Sequence, residues 1–121
     1  MISIGNMGLH VQQAMDKMKA AGLNPTHIDL RFLAPLDVQL LSEVAATHKV
    51  LFTVEDGVSH GGLFSAVAEF IAQNPAPIPV IPIAINDRFV EHGDLNSLYE
   101  ECGLNSAQIA EKIIHYSENF M

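Results

Sequence analysis

Residues 50–70 read VLFTVEDGVSHGGLFSAVAEF, three textures in succession. The first five residues are apolar or β-branched and uncharged, the pattern of a strand buried on both sheet faces. Two acids follow, then a stretch punctuated by Gly57 and the Gly61-Gly62 pair, then an amphipathic run with Phe64, Val67, Ala68 and Ile71 on one face. Strand, loop and helix in that order form the front half of a βαβ crossover. In an open α/β sheet, the loop at the carboxyl end of a central strand is where functional residues collect.

The same alternation runs in both directions from this centre. Upstream, residues 2–4 (Ile-Ser-Ile) read as a short buried strand, and Gly5-Asn6-Met7-Gly8 as a turn. Val11, Ala14, Met15 and Met18 then recur at helical spacing, Gly22 sits at an αL C-cap position, and Pro25 blocks continuation. Residues 27–30 form the second strand. Asp37 is a natural N-cap for a second helix that buries Leu40, Leu41, Val44 and Ala45 and ends near Thr47-His48.

Downstream, Asn74-Pro75-Ala76-Pro77-Ile78-Pro79 is a stiff extended connector. Residues 80–85 are a strand in which Pro82 cannot donate to a ladder, so the strand belongs at a sheet edge. After a loop over residues 86–93, Asp94 caps a short helix with Leu95, Leu98, Tyr99 and Cys102, ended by Gly103. Asn105 with Gln108 is a capping box opening a last helix that turns Ile109, Ile113 and Tyr116 inward. The expected fold is a single three-layer α/β/α domain over residues 1–121. Its mainly parallel sheet has about four strands in the order 2-1-3-4, and the loops at Gly5–Gly8 and 55–62 meet at the switch point.

Composition narrows the function. Fourteen acids against six bases give a formal net charge of −8 in 121 residues, and Lys and Arg form no cluster. That balance repels nucleic acid and anionic membrane surfaces. No apolar run approaches the roughly 18 residues a bilayer requires, and no signal peptide is visible, so a cytoplasmic protein is expected. Cys102 is the one cysteine, which removes disulfides and cysteine-based zinc sites, and its helical spacing makes it a small core residue. The first apolar strand starts almost at Met1, as it would in a segment of a longer chain.

The candidate chemistry is sparse. Gly5-Asn6-Met7-Gly8 lacks both a dinucleotide fingerprint and a P-loop ending, and reads as a tight turn. Glu55, Asp56, Ser59 and His60 are hydrolase residue types, but neighbours along one loop rarely converge as a triad must, and no GxSxG elbow is present. Gly61-Gly62 at a helix start suits an anion, against which two nearby carboxylates argue. A loop pressed on another protein surface fits better, with Glu55, Asp56, Ser59, His60, Gly61, Gly62 and Phe64 as its contact residues. The six histidines (His10, His27, His48, His60, His92, His115) show no metal-ligand spacing. Arg31 is expected to pair with Glu55 across the strand ends, and Asp87 with Arg88 within the loop before Gly93. No residue is assigned to catalysis, cofactor or metal.

Several stretches together resemble a known family. Ser3-Ile4-Gly5, Asp29-Leu30-Arg31-Phe32 with Pro35-Leu36-Asp37, Thr53-Val54-Glu55-Asp56 with Gly61-Gly62, and Ser65-Ala66-Val67-Ala68-Glu69 resemble the transketolase C-terminal domain. Residues 87–93 (DRFVEHG), followed by Leu98-Tyr99 and Gly103-Leu104, are most similar to the 1-deoxy-D-xylulose-5-phosphate synthase branch. The resemblance implies a parent transferase that condenses pyruvate with glyceraldehyde 3-phosphate, losing carbon dioxide, in isoprenoid biosynthesis. Thiamine diphosphate and magnesium would be held in the parent's other domains. The Gly-Asp-Gly cofactor motif is not found here, and nothing matches the surroundings of the family's activating glutamate. The resemblance therefore implies a segment inactive alone that packs on sibling domains and helps form a homodimer. Asp56 stands where related enzymes often carry a second Glu. The alternatives are the same domain of a transketolase or of a 2-oxo acid dehydrogenase β subunit, and, from another class, a stand-alone flavodoxin-like binding module.

Overall fold

A computed structural model describes residues 1–58, 60–85 and 95–121. The elements are β1 (Ile2–Ile4), α1 (Met7–Ala20), β2 (Ile28–Leu30), α2 (Val38–Thr47), β3 (Leu51–Val58), α3 (Leu63–Ala72), β4 (Val80–Ile85), α4 (Leu95–Cys102) and α5 (Ser106–Phe120). The strands form one parallel sheet in the order β2-β1-β3-β4. Pro82 lies on the edge strand, as its missing N–H demands. Asp87, Arg88 and the Asp94 cap fall outside the described residues.

The helices divide by the direction each crossover takes. α1 leads from β1 to one neighbour, while α2 and α3 lead the other way, so right-handed connections put them on opposite faces. One core joins Met7, Val11, Ala14 and Met18 of α1 to Phe52, Val54 and Ile83 of the sheet and to Tyr99, Leu104, Ile109 and Ile113. The other joins Ile2, Leu30 and Leu51 to Leu41 and Val44 of α2 and Leu63, Val67 and Ile71 of α3. Leu40, Phe64 and Cys102 are half-buried at the margins rather than central.

Local chemistry fixes the helix ends. The Asp37 carboxylate accepts the Leu40 N–H at 3.1 Å, and Asn105 with Gln108 forms the reciprocal capping box. α1 and α4 share one stop signal. After α1, Gly22 (φ +88) donates to the Lys19 carbonyl and Leu23 to that of Met18. After α4, Gly103 (φ +75) donates to the Glu100 carbonyl and Leu104 to that of Tyr99. Both are Schellman closures, whose left-handed residue favours glycine.

The main departure from the sequence reading is at β3. Charge and Gly57 predict that the strand stops at Val54, yet it continues to Val58. Val54 is opposite Ile83 and Val58 opposite Ile85, so β3 takes four steps where β4 takes two. The surplus is accommodated as a bulge, a device that re-aims side chains beside functional edges. Glu55, Asp56 and Gly57 thus belong to a strand, not a loop.

The Thr53 hydroxyl is fully buried without a hydrogen-bond partner. An unpaired buried hydroxyl carries its desolvation cost with nothing to offset it. Thr53→Val keeps the shape and removes the orphan, so it should raise the urea midpoint, a gain of about 1 kcal/mol. A lower midpoint would mean that the hydroxyl holds an ordered partner.

Candidate functional site

The site the sequence points to is the carboxyl edge of the sheet, where β3 ends, α3 begins, and α1 and α4 pass on the other face. Glu55 is its centre and is only 5 % exposed. One carboxylate oxygen accepts the Leu63 N–H at 3.0 Å and the other accepts the Phe64 N–H at 2.9 Å. These are the first two residues of α3, whose N-cap, Gly62, has no side chain to do this work. A carboxylate from eight residues upstream caps the helix instead. It meets the positive end of the macrodipole through two charge-assisted bonds. Gly61 adopts φ +78, a conformation open to glycine at little cost, and its N–H donates to the Ser65 hydroxyl at 2.8 Å.

The expected Arg31–Glu55 ion pair does not form. β1 lies between their strands, Glu55 turns under the first turn of α3, and Arg31 is exposed at the end of β2. Asp56 goes to the opposite face, where its carboxylate accepts the Tyr99 hydroxyl proton. Burial, then the Asp56 charge, then this hydrogen bond hold the phenol above its ordinary value of 10.0. The Tyr99 ring meets His10 of α1 edge-on, with centroids 4.8 Å apart. β3, α4 and α1 are therefore tied through one tyrosine. Sequence reading missed this triplet, because the strand parity of residues 55 and 56 is visible only once β3 is known to continue.

A second polar cluster sits where β2 meets α1. The Ser3 hydroxyl donates to Asp29 at 3.2 Å and lies 2.8 Å from His27 Nε2, so the imidazole donates to Ser3. Gly8 packs directly above: a Cβ there would come within 3.1 Å of the Asp29 carboxyl. Glycine lets the first turn of α1 lie close to that carboxylate, and a larger residue would push the Asp29 side chain aside by a few tenths of an ångström. Burial lowers the His27 pKa, Asp29 opposes that effect, and the N-terminal amine reinforces it. The cluster contains Ser, His and Asp, but the Asp bonds the serine and leaves the imidazole unoriented, the reverse of a triad.

These contacts decide what the edge can do. Glu55 and Asp56 diverge to opposite faces, so they cannot act together on one substrate. His60 is exposed, and Ser59 lies outside the described residues. Among the described residues, no group of three His, Cys, Asp or Glu side chains is placed to hold a metal ion. A diphosphate fits badly, since the starts of α1 and α3 already face Asp29 and Glu55. At about 5 Å and an effective dielectric near 20, each added pair of like charges costs roughly 3 kcal/mol. Thiamine diphosphate is therefore a poor fit to these two helix starts.

Glu55→Gln keeps the size but points an amide at one of two N–H donors. It should destabilise the fold by about 1–3 kcal/mol in urea titration; an unchanged midpoint would show that the cap contributes nothing. His27 is held below the ordinary 6.5, so the folded state binds fewer protons than the unfolded one there. Stability should fall as pH drops through 6.5 and below, and His27→Asn should flatten that part of the profile.

The comparisons with known proteins bear on the family and the fold. The model of the transketolase C-terminal domain matches residues 1–109. The 1-deoxy-D-xylulose-5-phosphate synthase of Cytophaga hutchinsonii is 40 % identical over 96 % of this chain, which spans 18 % of that protein. The synthase of Dictyoglomus turgidum is 40 % identical over 98 % of the chain and 19 % of its own length. Among solved structures, a split-gene transketolase described as an inactive β4 tetramer superposes with a TM-score of 0.83. It is 31 % identical and covers 93 % of this chain and 35 % of its own. The chain thus spans about a fifth of the curated relatives it matches. It belongs to the transketolase C-terminal domain family.

Proposed function

We propose that this chain serves as the C-terminal domain of a thiamine-diphosphate-dependent 1-deoxy-D-xylulose-5-phosphate synthase, contributing assembly surface rather than reacting groups. The observation that carries the reading is 40 % identity running nearly end to end against synthases several times longer. The split-gene transketolase is less similar at 31 %, so the synthase branch is preferred. In this reading the parent condenses pyruvate with glyceraldehyde 3-phosphate and releases carbon dioxide in isoprenoid biosynthesis. It works in the cytoplasm, and its cofactor and magnesium sit in its other domains.

The occupied helix starts support the division of labour. Glu55 fills the anion seat of α3 and Asp29 lies against the first turn of α1, which makes those starts poor cofactor sites and good rigid supports. The edge around Asp56, Ser59, His60, Gly61, Gly62 and Phe64 is the proposed contact with sibling domains or with the second subunit of a homodimer. Glu55 acts beneath it as a positioning residue.

A chimera tests the proposal. Replacing the corresponding segment of the Cytophaga hutchinsonii synthase with this chain should give a soluble enzyme that retains most of its synthase activity. A soluble, correctly assembled chimera without activity would contradict the assignment. So would a coding sequence upstream of Met1 that lacks a Gly-Asp-Gly cofactor motif.

A further inference from the structure

β4 is an edge strand, and nothing in the contacts around Glu55 explains its composition. Residues 70–86 carry no charged side chain in a chain of net charge −8, and β4 within them reads VIPIAI. Of the residues in this strand only Pro82 is exposed. The Leu51 N–H donates to the Pro79 carbonyl at 2.9 Å, and Leu51 is level with Val80. In a parallel ladder that parity gives residues 79, 81 and 83 to β3. It turns the backbone groups of 80, 82 and 84 to the free side. Among the described residues no strand pairs there.

An apolar, largely β-branched run with an unpaired edge is the composition that pairs with copies of itself. Net charge of one sign keeps two copies of the chain apart, and along this stretch that repulsion is weakest. A groove of about 400 Å³ beside the edge adds to the attraction. Ala68, Ile71 and Ala72 wall it from the helix, and Pro77, Ile78 and Val80 from the strand side. Every one of these side chains is apolar.

We propose that Pro82 closes this edge to a second copy of the chain, which would otherwise add β4 to β4 antiparallel across a twofold axis. Centred on residue 82, that pairing sets 82 against 82 and 80 against 84. Facing residues of this kind exchange both N–H···O bonds. Proline deletes both bonds of the central pair and brings each ring against the opposite carbonyl. A register that leaves Pro82 outside the ladder has only 80–81 or 83–85 to pair. Val80 packs with the core of α2 and α3. Ala84 of the second copy would lie opposite it and cover the groove. The native ladder loses no bond to Pro82, because the missing N–H is on the side away from β3. The register of β3 and β4 carries this, whichever parent enzyme the chain serves.

Sedimentation equilibrium and amide hydrogen exchange, on the unchanged chain beside Pro82→Val and Pro82→Lys, test the proposal. Both variants regain the N–H, but only valine leaves the edge uncharged. Pro82→Val should sediment at twice the mass of the unchanged chain, with slowed exchange at the amides of Val80 and Ala84. Pro82→Lys sets two lysines face to face across the axis and should keep the mass of the unchanged chain. Pro82→Ala asks less of the fold and carries the valine expectation if Pro82→Val does not fold. A folded valine or alanine variant of unchanged mass would overturn the proposal. So would a doubling of mass that leaves the Val80 and Ala84 amides exchanging as before, or one that Pro82→Lys shows equally. An unchanged chain whose Val80 and Ala84 amides slow as its concentration rises would overturn it too, since the edge would then be open with proline in place.

Discussion

A buried carboxylate at the start of a helix organises the carboxyl edge of this domain. Glu55 leaves the sheet where β3 bulges and places both oxygens on the first two amides of α3. Moving a charge into a nearly solvent-free position is expensive unless hydrogen bonds and field offset the loss of water. Here two N–H donors and the helix dipole do so. The result is a strand and a helix whose relative placement is fixed by one side chain, across a turn made possible by Gly61 and Gly62. Asp56, the next residue, fixes α4 on the opposite face through Tyr99.

A second carboxylate lies near a helix start at β2, where Asp29 accepts the Ser3 hydroxyl and sits against Gly8 of α1. In many doubly wound proteins, helix starts at the switch point receive phosphates. This domain keeps the architecture and supplies the anion at α3 itself. The start of α3 is thus occupied by a side chain of the protein itself.

Much of the fold was legible because it is written in local signals. The strand order followed from alternation, crossover handedness and Pro82. The cap at Asp37, the box at Asn105 and the stops at Gly22 and Gly103 each have a residue type matched to a backbone need. The site was legible only in position. Glu55 looked like a loop acid seeking Arg31, because charge and a following glycine ordinarily end a buried strand. What altered its role was tertiary: a bulge carried β3 onward, and α3 presented two amides that needed an acceptor. The Asp56–Tyr99–His10 contact spans α1, β3 and α4, and no spacing along the chain announces it. Ser3, His27 and Asp29 follow the alternation of adjacent strands, so their meeting could have been found once β1 and β2 were paired in register.

The account turns on the start of α3 being occupied by the protein's own carboxylate. Titration of the chain with inorganic pyrophosphate, followed at the backbone amides of Gly61, Gly62, Leu63 and Phe64 by NMR, addresses this directly. The account predicts no saturable shift at these amides up to millimolar ligand. A saturable shift centred on Leu63 and Phe64 would show the seat to be open, and would contradict it.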